Sequence, residues 1–393
     1  MNFELSDEQV FLREAARDAL SRVRTIEAAR AALEGEALPD LWQTASQAGW
    51  TGLLISEQHG GAGLGALDAM LVLAEAGRVL ASVALLGHLP ATALLDADGQ
   101  HPKLLEALGS GAERAAFVPL RPGDDRDPAW TAEPRAGKRR APAPQVGALP
   151  DGADEGGRYD ATVSGAVAWV PDAPGAGTLV VAALDGDRPV ALLVDAVRDG
   201  GPAAGVAVEA ATAYDATRSL GHVTLDGARA RRLEVGADEL ATAWYLAHAL
   251  IAAESLGAVE ESLRRSVEYA KERYTFGRAI GSYQAVKHGL TEVLRRQENV
   301  RALLYYAGWA RQDAPGEFAV AASAARSAAG AALDFAAREL ISVHGGIGAT
   351  WEHDAPLFFR RAQLSRRLLG GTGDATDRVA SELLGAARAG AAA

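Results

Sequence analysis

Cysteine is absent from all 393 residues. That absence excludes disulfides, thiolate metal sites, cysteine-ligated iron–sulfur clusters and a cysteine nucleophile, and no metal site is expected. Positive charge is also short. Lys and Arg number 39 against 51 Asp and Glu, a net charge of −12. A balance of that sign disfavours a nucleic-acid partner. The one compact basic run, Lys138-Arg139-Arg140, sits in a Pro/Gly-rich stretch and reads as a solvated loop. Long hydrophobic runs are missing too. The most apolar window, residues 241–259, contains His248 and Glu254 and belongs to a longer amphipathic pattern, so no membrane insertion is expected. The opening Met-Asn-Phe-Glu-Leu-Ser-Asp-Glu is acidic and lacks the regions of a secretory signal. A cytoplasmic location is the simplest expectation.

What remains is an ordinary globular composition, 49% hydrophobic and 23% charged, long enough for two or three domains. Residues 1–112 read as helices. Ser6 and Gln9 form a capping-box start ahead of Val10-Phe11-Leu12, and helical runs are expected at 40–48, 66–80 and 102–108. Residues 113–236 change character. Short β-rich runs at 161–170, 178–182, 190–194, 205–208 and 222–225 are separated by Gly, Pro and Asp, which predicts a small antiparallel β domain. Within it, residues 121–157 read as a long surface excursion. Residues 237–393 are helical again, with long candidates at 240–273, 283–312, 317–344 and 357–369 and a last one at 374–387. Gly345 and Gly370 are natural stops. The fold class is therefore α+β, with a helical N-terminal domain, a β middle domain and a C-terminal helix bundle.

Two stretches carry chemistry. The first runs Arg273-Tyr274-Thr275-Phe276-Gly277-Arg278-Ala279-Ile280-Gly281-Ser282-Tyr283-Gln284. The second runs His344-Gly345-Gly346-Ile347-Gly348-Ala349-Thr350-Trp351-Glu352. Arg273 is a permanent cation with forked donors, suited to a phosphate group. Phe276 can supply an aromatic surface, Gln284 can hydrogen-bond, and Gly345-Gly346 lets a ligand lie against bare backbone.

In this order and spacing the two stretches resemble the flavin-binding signatures of the acyl-CoA dehydrogenase family. Ile55-Ser56-Glu57-Gln58-His59-Gly60-Gly61 looks like that family's first-domain loop, and Thr350-Trp351-Glu352-His353-Asp354 resembles a branch common in bacterial acyl-CoA and steroid side-chain degradation. The resemblance implies FAD, an acyl-CoA thioester substrate and removal of two hydrogens across Cα–Cβ. A carboxylate base takes the α-proton and hydride passes to the flavin. It also implies tetramers built from dimers and an acceptor such as an electron-transfer flavoprotein. In those dimers Arg273, Phe276, Gln284, Gly345 and Gly346 would reach FAD held mainly by the neighbouring subunit.

The departures from the family matter as much. The base is usually a Glu before a Gly-Thr, but here the stretch is Leu368-Leu369-Gly370-Gly371-Thr372. The alternative base position falls on Ala247, beside His248. Glu254 is the remaining candidate, roughly 10 Å further along the same helix face, and a lone carboxylate among apolar neighbours suits a general base. At the flavin ring, Pro119-Leu120-Arg121-Pro122-Gly123 replaces a Thr-Glu-Pro-Gly pattern, and Trp169-Val170-Pro171 replaces Trp-x-Thr. Trp169 can still pack on the ring, but neither proline has an N–H to offer. Ser342 stands where the family has Gln. The pattern favours a base-deficient subunit that completes a homologous partner's site in a hetero-oligomer. Two other readings are a self-sufficient homotetramer using Glu254 or another base, and a non-enzymatic CoA- or protein-binding scaffold on the same fold.

Overall fold

The computed structural model describes residues 4–123, 127–132 and 140–392, the side chains of 386–392 excepted. Lys138 and Arg139 of the basic run, and part of the expected surface excursion, lie outside the described residues.

Six helices open the chain: α1 (Asp7–Ser21), α2 (Thr25–Leu33), α3 (Trp42–Gln47), α4 (Ala66–Arg78), α5 (Leu85–Asp98) and α6 (Pro102–Gly109). The capping box forms as expected, with the Gln9 N–H donating to Ser6 Oγ and the Ser6 N–H to Gln9 Oε1. Helices α2 and α5 fall within the region expected to be helical but outside its named runs. Helix α5 runs through both Gly87 and Pro90, residue types that ordinarily weaken a helix interior. Tertiary packing explains Gly87. A Cβ there would lie 2.3 Å from the Pro171 carbonyl oxygen.

The middle region holds β1 (Ala115–Val118), β2 (Gln145–Ala148), β3 (Ala161–Pro171), β4 (Thr178–Asp185), β5 (Arg188–Asp195), the two-residue pair β6 (Val197–Arg198) and β7 (Gly201–Pro202), β8 (Val206–Ala210) and β9 (Leu220–Arg232). Pairings β4–β5, β5–β9, β9–β3, β3–β2 and β2–β4 close on themselves around an apolar interior that includes Val163, Val167, Leu179, Leu192 and Val223. The β region is mainly antiparallel, as expected, with two parallel pairings in addition. β1 runs parallel to β4, and β2 meets β4 in a parallel bridge at Gln145 and Leu184. A long connection separates each of these pairs, so no hairpin forces them antiparallel.

The C-terminal region comprises α7 (Ala237–Glu272), the hairpin strands β10 (Tyr274–Thr275) and β11 (Arg278–Ala279), α8 (Gln284–Asp313), α9 (Pro315–His344), α10 (Ala355–Ser365) and α11 (Gly371–Ala392). Every residue of α7 from 246 to 259 is buried, because other elements surround the helix. Two glycines let α4 cross it at backbone contact. A Cβ on Gly257 would fall 1.7 Å from the Ala74 oxygen, and one on Gly77 would fall 1.9 Å from the Glu254 oxygen.

A buried ion network ties the three regions together. Arg361 of α10 is 1% exposed, and its Nε donates to Asp215 Oδ2 at 2.8 Å. Its Nη2 reaches the carbonyls of Leu80 at 3.1 Å and Thr217 at 3.0 Å, and its Nη1 donates to Glu254 on α7. Arg218, just before β9, donates to the other Glu254 oxygen and to Ser365 Oγ at 2.8 Å. Burial alone would lower Arg361, but Glu254 and Asp215 outweigh it and raise it above its usual value. Arg361→Met should lower the unfolding free energy by about 3–5 kcal/mol, the cost of stranding one side of a buried pair, in denaturant titrations. A loss under about 1 kcal/mol, the range of a surface pair, would show the network to be incidental.

Asp172, after β3, accepts the Gly87 N–H at 2.9 Å and joins the β region to α5. Burial pushes its carboxyl up from 3.8 to about 6. A folded value above the unfolded one gives stability that is complete below the unfolded value and is lost as pH rises through the folded value. Asp172→Asn should therefore flatten the fall in thermal midpoint between pH 3.8 and about 6. Parallel melts of the two proteins across that window check it, and curves that stay parallel would refute it.

Candidate functional site

Helices α7, α8 and α9 run up, down and up, so the ends of α7 and α9 and the start of α8 share one end of the bundle. Side chains fix that end. The Tyr269 ring, near the end of α7, stacks on His344, the last residue of α9, with centroids 4.2 Å apart. His344 in turn lies 4.2 Å from the His353 ring. Glu339 of α9 packs so closely on Gly289 of α8 that a Cβ there would meet its Oε2 at 2.5 Å.

The residues expected to hold a dinucleotide sit around this end. Arg273 caps α7, its N–H bonding the Tyr269 carbonyl at 2.9 Å. Its guanidinium is exposed, and no described residue pairs with it. The chain then turns back at once. Tyr274 pairs with Ala279 and Thr275 with Arg278, leaving Phe276 and Gly277 as a two-residue loop with φ of 48° and 76°. Two positive φ values mark a type I′ hairpin turn. The turn lifts Phe276 to 98% exposure. Gln284 opens α8, exposed. Ser342, Gly345 and Gly346 are exposed at the end of α9. Gly345 has φ 66° and ψ −141°, and nothing lies within 4 Å of a Cβ at either glycine.

The structure does not bring Trp169 or Glu254 to this end. Trp169 sits at an irregularity in the β3–β9 pairing, with φ 58°, its ring edge-on to His222 at 4.9 Å. It packs toward the helical core. The reasoning behind Glu254 as a base needs correction. It is not a lone carboxylate among apolar groups, because both its oxygens accept from buried guanidiniums, those of Arg218 and Arg361. Those partners lie 36 and 107 residues away in sequence, so nothing local announced them.

The two base positions of the resemblance do converge. Ala247 is buried, and the Nε2 of its neighbour His248 bonds the Leu369 carbonyl at 2.8 Å. A carbonyl only accepts, so Nε2 carries the proton. Burial, reinforced by Arg326, pushes His248 down to about 3, so it is neutral. Neither position carries a carboxylate. Arg326 of α9 pins the same loop from below, donating to the carbonyls of Ser365 and of Leu368, the latter at 3.2 Å.

A residue the sequence reading missed lies just beyond. Asp374, in the first turn of α11, packs against Gly370 and accepts from Arg121 Nε at 3.0 Å. Burial raises its carboxyl while Arg121 pulls it down. Its only sequence signal was a carboxylate four residues past Gly370. In the sequence Arg121 stands out only as a departure from the family pattern. The segment around Thr131 joins this place to β3, since Thr131 Oγ1 donates to the Pro119 carbonyl at 3.0 Å and the Ala168 N–H to the Ala132 carbonyl at 3.0 Å.

The bundle end fits a dinucleotide, with an unpaired cation, a projecting aromatic ring and open glycine backbone. The seam between β region and bundle does not fit a flavin ring. Pro119 and Pro171 lack N–H groups, and the Arg121–Asp374 ion pair spans it. Among the described residues no cluster could hold a metal ion, and no helix is long and apolar enough to cross a membrane.

Comparison with known proteins bears on all of this. The description of the acyl-CoA dehydrogenase N-terminal domain matches residues 6–110, and that of the C-terminal domain matches residues 236–384. Acyl-CoA dehydrogenase FadE34 of Mycobacterium tuberculosis is 34% identical over 83% of this chain, which spans only 39% of that relative's length. Acyl-CoA dehydrogenase IpdE2 of the same organism is 30% identical over 96% of this chain and 98% of its own. Among solved structures, the Tcur3481-Tcur3483 steroid ACAD superposes with a TM-score of 0.82 at 29% identity, covering 97% of this chain and 99% of the other. The ChsE4-ChsE5 complex from Mycobacterium tuberculosis gives 0.82 at 25% identity, over 98% and 99%. Matched in both helical regions and along nearly its whole length, the chain belongs to the acyl-CoA dehydrogenase family.

Proposed function

We propose that this chain is the base-deficient subunit of a cytoplasmic hetero-oligomeric acyl-CoA dehydrogenase, completing the FAD site of a homologous partner. One contrast carries the reading. The bundle end that would face a neighbour's dinucleotide is exposed and unpaired at Arg273, Phe276, Gln284, Ser342, Gly345 and Gly346. The chain's own seam is filled instead by Arg121 and Asp374, beside a loop without a carboxylate. Two similar structures support the arrangement, since one is the ChsE4-ChsE5 complex and the other carries the joint name Tcur3481-Tcur3483.

FAD, when bound, accepts the hydride that leaves Cβ of an acyl-CoA thioester, passing its electrons on to an acceptor such as electron-transfer flavoprotein. In this reading the partner supplies the carboxylate that takes the α-proton. Arg273 pairs with the diphosphate, Phe276 offers its ring to the adenine, and Gln284 and Ser342 hydrogen-bond. Gly345 and Gly346 let the cofactor lie against backbone. Trp169 stays in its own seam, and Glu254 acts as a structural anion. The likeness to a steroid ACAD favours a bulky, ring-bearing acyl group.

The self-sufficient reading has one observation on its side. Asp374 is a half-buried carboxylate beside Gly370, with its pKa raised by burial. Flavin content separates the two readings. The chain alone should be colourless and should not turn over an acyl-CoA, and the co-expressed pair should hold one FAD per two chains by absorbance. A yellow, active homotetramer with one FAD per chain would overturn the proposal.

Arg273→Ala in the pair should weaken FAD binding by about 1.5–3 kcal/mol, the worth of a charge-assisted hydrogen bond. Flavin released on dilution measures it, and unchanged retention would remove Arg273 from the site.

A further inference from the structure

The hairpin that carries Phe276 is held by a residue outside every role assigned so far. Tyr283 is the cap of α8, immediately before Gln284. Its ring folds back over the hairpin, and its hydroxyl donates to the Thr275 carbonyl at 3.1 Å. The Arg278 guanidinium covers the same ring, 4.0 Å from the centroid. Arg278 follows Gly277 and Thr275 precedes Phe276, so Tyr283 grips both strands on either side of the turn. Below, the Ile280 N–H bonds the Arg273 carbonyl at 2.8 Å, and the Ser282 hydroxyl donates to the Ala279 carbonyl at 2.7 Å. Gly281 lets the segment sit on α7, where a Cβ would meet the Ala270 oxygen at 2.9 Å.

What is held this way is costly in itself. Phe276 keeps φ at 48° and an almost fully exposed ring. A β-unbranched aromatic gains nothing from that conformation, and water gains nothing from the ring. An isolated two-stranded hairpin of this length would not persist in water. The ring over the turn and the hydroxyl bonded to its backbone supply what the short ladder lacks. Tyr283 also adjoins Gln284, so one side chain fixes the relative placement of Arg273, Phe276 and Gln284.

We infer that Tyr283, with Arg278 stacked on it, is a positioning residue that preorganises the Phe276 turn for the dinucleotide of a neighbouring subunit. The inference rests on the cross-subunit role proposed above. Preorganisation raises affinity by removing the cost of ordering a loop at the moment of binding.

The test uses the co-expressed pair and free FAD, with flavin affinity read by absorbance after ultrafiltration. Tyr283→Phe keeps the ring and loses the hydroxyl, so FAD should bind about 2- to 10-fold more weakly, as for one lost hydrogen bond. Tyr283→Ala also loses the stacked cation and should weaken binding roughly 10- to 50-fold. In the chain alone, Tyr283→Ala should speed amide hydrogen exchange at residues 274–279 and leave the thermal midpoint unchanged. Unchanged FAD affinity in both variants, or affinity that falls only in step with the thermal midpoint, would overturn the inference. Arg273→Ala serves as the control. If it too leaves FAD bound, the cross-subunit reading has failed. If it strips FAD while both Tyr283 variants retain it, only the positioning role has failed.

Discussion

The buried meeting of Arg361 and Arg218 on Glu254 is the constraint around which the rest of the molecule is arranged. Two cations and a carboxylate in one interior are expensive to desolvate, and only full hydrogen bonding compensates. The chain meets that demand from four places. The segment just after α4 supplies the Leu80 carbonyl, the loop before β9 supplies Asp215, Thr217 and Arg218, α7 supplies Glu254, and α10 supplies Arg361 and Ser365. Displacing Glu254 would part Arg218 from its carboxylate and Arg361 from one of its two. The network therefore fixes how the β region docks on the bundle.

That docking has opposite consequences at two places. At the seam, the β region and α11 are drawn close enough for Arg121 to pair with Asp374, while His248 and Arg326 hold the 365–369 loop by its carbonyls. There an ion pair of the protein's own, Arg121 with Asp374, bridges the two parts. At the far end of the bundle the packing stops short. Tyr269 stacks on His344, which meets His353 at a tilt, and beyond them the hairpin and the glycines face solvent. One scaffold thus offers a closed face and an open one, and the open face carries the residues suited to an anionic, aromatic ligand.

Much of the fold could be read along the chain because its signals are local. Ser6 and Gln9 cap α1 across three residues. The lengths of α7, α8 and α9 follow from continuous periodicity, and Gly345 ends α9 through its own positive φ. Failures came where neighbours overrode local preference. Gly87 is favoured in α5 because Pro171 and Asp172 press against that helix from the β region. The direction of β1 was illegible because strand residues encode alternation and burial but not the sense of a partner joined by a distant crossing.

The candidate site divides along the same line. The sequence alone determined which residue types stand at the bundle end, since the motif is contiguous from Arg273 to Gln284 and again from His344 to Glu352. It also puts Ala247 and Leu369 where the resemblance would place a base. Only the tertiary structure decided what Glu254 pairs with. Its partners lie 36 and 107 residues away, and no window of sequence contains both a charge and the distant groups that neutralise it. The same holds for Asp374 and Arg121, which are 253 residues apart. Whether a carboxylate is free or engaged depends on which guanidinium is folded against it, and that is set by long-range packing.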